Sequence, residues 1–332
     1  MGMLEDYICN RKVLVTGGLG FIGSTLARRL LDLGARVTLL DSLIPQYGGN
    51  LFNIEGIRDR VRVNISDVRD AHAMRYLVEG QDVLFNLAGQ TSHLDSMKEP
   101  RADLEINCSA QLSILETCKQ VNPSIRIVFA GTRQIYGRPD YLPVDEAHPI
   151  RPVDVNGINK TAGEWYHLLY CATYGIPCCV LRLTNTYGPR MRVKDARQTF
   201  LGVWLRLLIE GKAIPVYGDG EHRRDFNFVD DVVEALLLAA SSANAIGKVY
   251  NLGGTDIVSL RELASLLVEA NGCGTFEMVE TPEEIRSIDI GDYYGDFRKI
   301  EKELGWRPKI PLKEGLKKSI AYYHKHGTHY WD

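Results

Sequence analysis

The sequence predicts an α/β protein. It combines a doubly wound parallel sheet with a smaller α/β domain, which is formed by the C-terminal half of the chain and is interleaved in sequence with the larger domain. Two observations carry this prediction. Short β-branched runs alternate with amphipathic helical segments over residues 12–183, and a glycine-rich turn joins the first run to the first helix. Alternation of this kind places helices on both faces of a parallel sheet. The 332 residues are enough for two domains of ordinary size.

The predicted elements follow one another in regular order up to residue 183. The strands are expected at 12–16, 36–40, 61–65, 82–87, 125–130 and 178–183, and the helices at 20–33, 71–78, 104–120 and 160–174. Glycines and prolines then interrupt the chain up to residue 228. Further elements are expected at 230–240, 248–252, 260–270, 298–304 and 312–324. We therefore assign residues 1–180 to a nucleotide-binding domain to which 225–255 return, and 181–224 with 256–332 to a second domain.

Composition excludes several partners. The formal net charge is −3, so no basic excess is available for a nucleic-acid backbone. No run reaches the roughly 18 apolar residues of a membrane helix. The first ten residues carry Glu5 and Asp6 instead of the apolar core of a signal peptide, which leads us to expect a cytoplasmic protein. The seven cysteines are scattered without a CxxC pair, so we expect free thiols and no metal site.

The glycine-rich turn spans residues 13–23 and reads VLVTGGLGFIG. Between a strand and a helix, this spacing is typical of a dinucleotide-binding site on a Rossmann-type sheet. Gly17 permits the tight turn, Gly20 lets a pyrophosphate approach the helix N-terminus, and Gly23 lets helix and strand pack closely. The neighbouring Phe21 and Ile22 belong to the same expected cofactor site.

Acidic residues follow the second and third predicted strands. Asp41 can accept both hydroxyls of an adenosine ribose and would repel the additional phosphate of NADP, which favours NAD as the cofactor. Alternatively, Asp41 caps a turn at the strand end. Asp67, followed by Val68, can bind the adenine amino group or cap the next helix, and the sequence leaves both open.

Later segments, in matching order, complete a resemblance to a known family. They lie at 86–89, 131–137, 182–189, 217–231 and 286–308, and Asn107 matches a further single position. Over essentially its whole length the chain resembles the extended short-chain dehydrogenase/reductase family, specifically its NAD-dependent nucleotide-sugar epimerases and dehydratases of the UDP-glucose 4-epimerase type. The resemblance implies bound NAD, a nucleotide-sugar substrate with a UDP-sugar favoured, and a role in polysaccharide biosynthesis.

The resemblance also implies roles for individual residues. Thr132 would hydrogen-bond the sugar hydroxyl that is oxidised, and Lys160 would bind the nicotinamide ribose and lower a neighbouring pKa through its charge. Arg224 and Arg286 would hold the sugar diphosphate, since guanidinium groups suit phosphate oxygens. Asn185 would contact the same diphosphate. The nicotinamide side of the cofactor would be lined by Leu87, Ala88 and Gly89.

The chain departs from the family at the proton acceptor. The family has a tyrosine four residues before the lysine, on the same helix face, whereas this chain has Asn156. An amide cannot take a proton from a hydroxyl at neutral pH. Another group, or a water held by Asn156 and Thr132, could take the proton. Alternatively, the chemistry is altered, or the chain only binds its ligands. The candidate groups are Asp154, His93 and Tyr136.

A second departure concerns the type of reaction. Family 4,6-dehydratases carry Asp-Glu directly after the threonine, whereas this chain has Arg133 and Gln134. Neither residue can serve as the acid or base of water elimination. The sequence therefore favours epimerisation at sugar carbon 4 through a transient 4-keto intermediate. The alternatives are a dehydratase or decarboxylase with an unusual base, and a non-catalytic protein that binds NAD and a nucleotide sugar.

The resemblance also implies a homodimer. The predicted helices at 104–120 and 160–174 would pair with their copies as a four-helix interface. From the sequence alone, the apolar residues of these helices fit an ordinary core equally well.

Overall fold

The computed structural model describes residues 2–331. The first residue of the first expected domain, Met1, and the last residue of the second, Asp332, lie outside the described residues. The strands are β1 (Lys12–Thr16), β2 (Arg36–Asp41), β3 (Arg62–Ile65), β4 (Val83–Asn86), β5 (Arg126–Thr132), β6 (Cys178–Leu183), β7 (Asn185–Tyr187), β8 (Ile214–Tyr217), β9 (Arg223–Phe228), β10 (Val249–Asn251), β11 (Ile257–Ser259) and β12 (Phe276–Val279).

The helices lie between these strands and after them. They are α1 (Gly2–Ile8), α2 (Phe21–Asp32), α3 (Ala71–Val78), α4 (His93–Lys98), α5 (Pro100–Leu104), α6 (Ala110–Val121), α7 (Val155–Tyr174), α8 (Phe200–Ile209), α9 (Val229–Ser241), α10 (Leu260–Asn271), α11 (Glu283–Arg286), α12 (Arg298–Leu304), α13 (Leu312–His326) and α14 (Thr328–Trp331). A π-helical turn, Glu105–Ser109, joins α5 to α6.

Seven strands form one parallel sheet in the order β10-β6-β5-β4-β1-β2-β3. This confirms the predicted doubly wound α/β fold. The chain moves outward from β1 to β3 and then returns to β4, so the strand order reverses between β1 and β4. Thr16 and Asn86 are paired at the carboxyl ends of these two strands. Ligands of open α/β sheets bind at such a reversal.

The C-terminal half adds a three-stranded sheet, β11-β9-β7, and a two-stranded sheet, β12-β8. A separate apolar core, which includes Trp204, Leu205 and Leu263, packs beneath them. The expected domain boundaries stay a prediction, and one contact bears on how the tail is placed. The tail returns to the large sheet, because Ile300 and Trp306 pack in its core and Trp306 Nε1 donates to the Asp231 carbonyl at 2.8 Å.

Two helices differ from the sequence prediction near the site. The segment expected as one helix at 104–120 begins at Pro100 and contains the π-helical turn. The amide of Gln111 donates to the Ile106 carbonyl at 2.9 Å and so satisfies an acceptor within that turn. Helix α7 begins five residues before the predicted start at Lys160. The reason is that Asp154 caps it, accepting the Gly157 N–H at 2.6 Å.

No helix within residues 2–331 has both the length and the apolar character needed to cross a membrane. In the same part of the chain, no three His, Cys, Asp or Glu side chains are grouped as ligands for a metal ion.

Candidate active site

A cavity of about 510 Å³ opens at the carboxyl ends of the central strands, beside the reversal of strand order. Its size is typical of a small-molecule site. Nearly all residues singled out from the sequence line it: Gly17, Gly20, Phe21, Ile22, Gly23, Asp41, Asp67, Val68, Leu87, Ala88, Gly89, Thr132, Asn156, Lys160, Asn185 and Arg224.

The glycine turn forms one wall of this cavity. Gly17 has φ +67°, and a Cβ atom on it would lie 3.1 Å from the Ala88 nitrogen. A Cβ atom on Gly23 would lie 2.2 Å from the Gly17 carbonyl oxygen, so only glycine allows α2 to start this close to β1. No side chain caps the N-terminus of α2 at Gly20. This bare helix N-terminus fits the pyrophosphate of a dinucleotide.

Asp41 lies at the end of β2 with its carboxylate fixed from both sides. Oδ2 accepts the Leu19 N–H at 3.0 Å and Oδ1 accepts the Leu43 N–H at 2.9 Å. Burial raises the pKa of Asp41, while these two backbone donors act in the opposite direction. Each oxygen keeps a second lone pair, so the carboxylate can cap the turn and also accept hydrogen bonds from a ribose diol.

Asp67 does not cap the next helix. Asp70 occupies that position, accepting the N–H groups of His72 and Ala73 at 2.9 and 3.1 Å. The Asp67 carboxylate instead binds Arg69, whose Nη2 lies 2.8 Å from Oδ2. This hydrogen bond is the main reason that the pKa of Asp67 is lowered. Helix capping by Asp67, one of the two roles that the sequence left open, is therefore excluded.

The other end of the cavity brings Lys160 and Asn107 together above Gly89. A Cβ atom on Gly89 would lie 2.9 Å from Asn107 Oδ1 and 3.0 Å from Lys160 Nζ. Asn107 Oδ1 is buried and has no hydrogen-bond partner among the described residues. Lys160 Nζ donates to the Ala130 carbonyl at 3.1 Å. An unused acceptor and a cation that face the same space fit the hydroxyls of a nicotinamide ribose.

Burial lowers the pKa of Lys160 to about 8, and the negative charge of Asp103 acts in the opposite direction. The lysine side chain is only 7% exposed. Its ammonium group therefore carries a desolvation cost in the folded protein.

Asn156 is held by groups behind the cavity wall. Its amide nitrogen donates to the Gln90 carbonyl and to Asp103 Oδ2, both at 2.9 Å. Asn159 donates to the other oxygen of Asp103 at 2.8 Å. Asp103 is fully buried, so these two amides supply its hydrogen bonds. Because the amide nitrogen of Asn156 is already engaged, Oδ1 is the amide atom that can still hydrogen-bond a water in the cavity.

Asp103, which holds Asn156 behind the cavity wall, is a residue that the sequence reasoning missed. A signal was present, because Asn156 and Asn159 are three residues apart and therefore share a face of α7. The carboxylate that this face meets comes from α5, which is distant in sequence.

Tyr136 can be separated from the other candidate proton acceptors. It is completely buried and does not line the cavity. Its hydroxyl donates to Asn251 Oδ1 at 2.6 Å and accepts from Arg182 at 2.5 Å. Burial raises the pKa of Tyr136 to about 12. This tyrosine is part of the sheet's polar interior.

The residues after Thr132 are held in place by neighbouring side chains. Thr132 Oγ1 accepts the Gln134 N–H at 3.2 Å. The Gln134 amide donates to Asp154 Oδ2 at 2.8 Å, and Arg133 donates to Asn185 Oδ1 at 3.2 Å. Neither Arg133 nor Gln134 brings a group that titrates near neutral pH to the cavity.

The two arginines expected at the diphosphate are not brought together. Arg224 lines the cavity, and burial lowers its pKa to about 10. Arg286 is exposed on α11 and pairs with Glu283 at 3.3 Å. Ile285, one position earlier, faces the cavity instead, because successive helical residues point about 100° apart. In this structure the Arg286 side chain lies outside the cavity wall, and its contact with the diphosphate stays a prediction.

The comparisons with known proteins agree with this geometry. The family model described as "NAD dependent epimerase/dehydratase family" matches residues 13–253. A putative UDP-glucose 4-epimerase of Methanocaldococcus jannaschii is 33% identical over 311 residues, which cover 93% of this chain and 97% of that relative.

Two solved structures share the fold over nearly the whole chain. The UDP-glucose 4-epimerase of Thermotoga maritima with UDP-glucose has a TM-score of 0.87 and 30% identity, and the match covers 95% of this chain and 99% of that one. The dTDP-glucose 4,6-dehydratase of Streptomyces venezuelae with NAD bound has a TM-score of 0.87 and 28% identity, covering 97% and 99%. The chain therefore belongs to the NAD-dependent epimerase/dehydratase family, whose cofactor, NAD, fits the nucleotide site described above.

Proposed function

We propose that this protein is an NAD-dependent nucleotide-sugar 4-epimerase, with a UDP-hexose as its substrate. The observation that carries the proposal is the pair Arg133 and Gln134 beside Thr132. Both side chains are fixed by hydrogen bonds to Asn185 and Asp154, and neither can serve as an acid or base for water elimination. Epimerisation at carbon 4 needs only the removal and return of a hydride and a proton.

The NAD that the family implies would supply the hydride chemistry. The chain's own residues would bind NAD and the nucleotide sugar and orient them. The bare N-terminus of α2 would hold the pyrophosphate, and Asp41 the adenosine ribose. Lys160 and Asn107 would hold the nicotinamide ribose. Thr132 would orient the reacting sugar hydroxyl, while Arg224 and Asn185 would hold the sugar diphosphate. This work would take place in the cytoplasm, on precursors of polysaccharides.

Proton NMR of the purified protein with a panel of UDP- and dTDP-sugars in deuterated water tests the proposal. We expect a second sugar to appear without deuterium at any sugar carbon and without net formation of NADH. Deuterium on the sugar ring would indicate keto–enol chemistry, hence a dehydratase or a 3- or 5-epimerase, and a stable 4-keto product would identify a dehydratase. Loss of carbon dioxide would identify a decarboxylase. Line broadening without any product would identify a protein that only binds nucleotide sugars.

We also propose that the protein is a homodimer formed through α6 and α7. Ile158, Trp165 and Leu169 lie on one face of α7 and are 55%, 58% and 53% exposed. They are therefore outside the core of the single chain. Leu104, at the end of α5, is 44% exposed. An apolar surface of this kind on the long helix α7, together with Leu104, suits an isologous pairing with a second copy, in which α6 would lie beside α7.

Trp165→Glu is expected to convert the dimer to a monomer, because it places a charge at the centre of this apolar face. Light scattering coupled to size-exclusion chromatography measures the change. Tyr76→Glu is the matched control, since Tyr76 is 61% exposed on α3 and outside the proposed interface. A wild-type protein that is monomeric at micromolar concentration would contradict the proposal.

A further inference from the structure

His93 begins α4 at the wall of the cavity. Its side chain is 35% exposed, and Ser92 caps the helix by accepting the Asp95 N–H at 3.1 Å. The ring nitrogen Nδ1 is buried and lies 3.1 Å from Asp154 Oδ2, an ion-pair contact. No described group, Asp154 included, meets hydrogen-bond geometry with Nδ1, so the contact is one of charge and proximity. Because the Nδ1 edge is covered, the accessible edge of the ring is the one that carries Nε2.

Asp154 is suited to orient this imidazole. Its side chain is completely buried, and its oxygens accept the Gly157 N–H at 2.6 Å and the Gln134 amide at 2.8 Å. Burial alone would raise the pKa of Asp154. The contact with His93 and the two hydrogen bonds outweigh burial, so the pKa is lowered. An ionised carboxylate beside Nδ1 keeps the proton on that nitrogen and leaves Nε2 free to accept another.

Hydrogen bonds connect His93 and its partner Asp154 to two other residues of the candidate site, Asn156 and Thr132. Ser96 Oγ donates to the His93 carbonyl at 2.7 Å and accepts the Asn156 N–H at 3.2 Å. On the other side, Gln134 bonds Asp154 through its side chain and Thr132 through its N–H. The His93 backbone is therefore linked to Asn156 through Ser96, and Asp154, the ion-pair partner of the imidazole, is linked to Thr132 through Gln134.

We propose that His93 is the catalytic proton acceptor of this enzyme and that Asp154 is its positioning residue; the proposal rests on the proposed epimerase function. In the oxidation step, the sugar O–H bond breaks and its proton passes to Nε2. The adjacent C–H bond breaks with its electron pair as a C=O bond forms, and the NAD that the family implies would accept that pair as hydride. In the return step the keto sugar would have turned over, so that the hydride reaches the opposite face of the carbon and Nε2 gives the proton back to the ketone oxygen. Asp154 stabilises the imidazolium formed between the two steps.

His93→Ala is expected to lower kcat by roughly 100- to 10,000-fold, the usual contribution of a general base. We expect calorimetric affinities for NAD and for the nucleotide sugar to stay at the wild-type values. Added imidazole should restore part of the turnover, which a merely structural role would not allow. His72→Ala is the matched control, because His72 is exposed on α3 and outside the cavity.

Asp154→Asn tests the positioning role, since asparagine still accepts the Gly157 N–H and caps α7. We expect kcat to fall with KM unchanged. Nitrogen-15 NMR of the His93 ring should show the proton on Nδ1 in the wild type and a mixture of tautomers in Asp154→Asn. This measurement does not depend on turnover.

The outcomes separate this proposal from the proposed function. A wild-type protein that epimerises a sugar, with His93→Ala doing so at the same rate, would overturn the histidine proposal alone. A wild-type His93 protonated on Nε2 instead of Nδ1 would also overturn it. A protein that binds nucleotide sugars and converts none would overturn both.

Discussion

Lys160→Met is expected to make the folded protein more stable at pH 7. Burial lowers the pKa of Lys160 from 10.5 to about 8, so the unfolded chain binds this proton more tightly than the folded protein does. The cost of the buried charge is complete below pH 8 and disappears as the pH rises towards 10.5. A difference of this size corresponds to about 3 kcal/mol, which sets an upper limit on the gain in unfolding free energy.

The same substitution is expected to abolish most of the turnover. Methionine fills a similar volume against the Phe129 ring, but it cannot bind a ribose hydroxyl or supply a positive charge. Removing one such electrostatic group typically lowers kcat roughly 100- to 1000-fold. Lys160→Met would thus separate stability from function at a single position.

Urea denaturation at pH 7 and at pH 10 measures the effect on stability. The variant should exceed the wild type at pH 7, and the difference should shrink at pH 10. Lys318→Met is the control, because Lys318 forms an exposed pair with Glu314 and should change neither stability nor turnover appreciably. A variant less stable than the wild type at both pH values would show that the lysine's hydrogen bond and its attraction to Asp103 outweigh the desolvation of its charge.

Glu164→Gln is expected to destabilise the fold by about 3–5 kcal/mol, because it leaves a charged guanidinium buried without its carboxylate. Glu164 and Arg182 are 1% and 5% exposed. They form two hydrogen bonds, from Nε at 2.9 Å and from Nη2 at 2.5 Å. Tyr136, the remaining polar partner of Arg182, is neutral and cannot compensate for the lost charge.

The matched control is Glu314→Gln at the exposed Glu314–Lys318 pair, where we expect a change of at most about 0.5 kcal/mol. The double variant Glu164→Leu with Arg182→Met should lose less stability than Glu164→Gln alone, because no unpaired charge remains. Urea denaturation of the three variants measures these differences. Equal stability of Glu164→Gln and wild type would refute the assigned role of the ion pair.

The sequence predicted the central sheet and the cavity because both depend on local signals. The glycine turn and the residues at the strand ends are adjacent in sequence to the strands that place them. Gly17, Asp41 and Thr132 could therefore be expected at one site, and all three line the cavity. Lys160 could be assigned because the family resemblance places it four residues after the position that Asn156 occupies in this chain. These residues could be assigned without knowing any contact between distant segments.

The remaining features depend on contacts between distant segments. Arg286 belongs to a matching motif, but a four-residue helix directs it away from the cavity, and its sequence does not determine that rotation. The π-helical turn interrupts a segment that has ordinary helical periodicity. The sequence offered His93 and Asp154 as separate candidates. Only the packing of α4 against the start of α7 brings them within 3.1 Å of each other.

The amides of Asn156 and Asn159 that hold Asp103 also determine which mutational routes are open to this protein. Replacing Asn156 with tyrosine would remove one of two donors from a buried carboxylate, a loss of about 1–3 kcal/mol. The substitution is therefore coupled to Asp103 and is not an independent change. A tyrosine could be introduced at this position at low cost only after the loss of Asp103. This epistasis entrenches the asparagine and makes the order of substitutions as important as their identity.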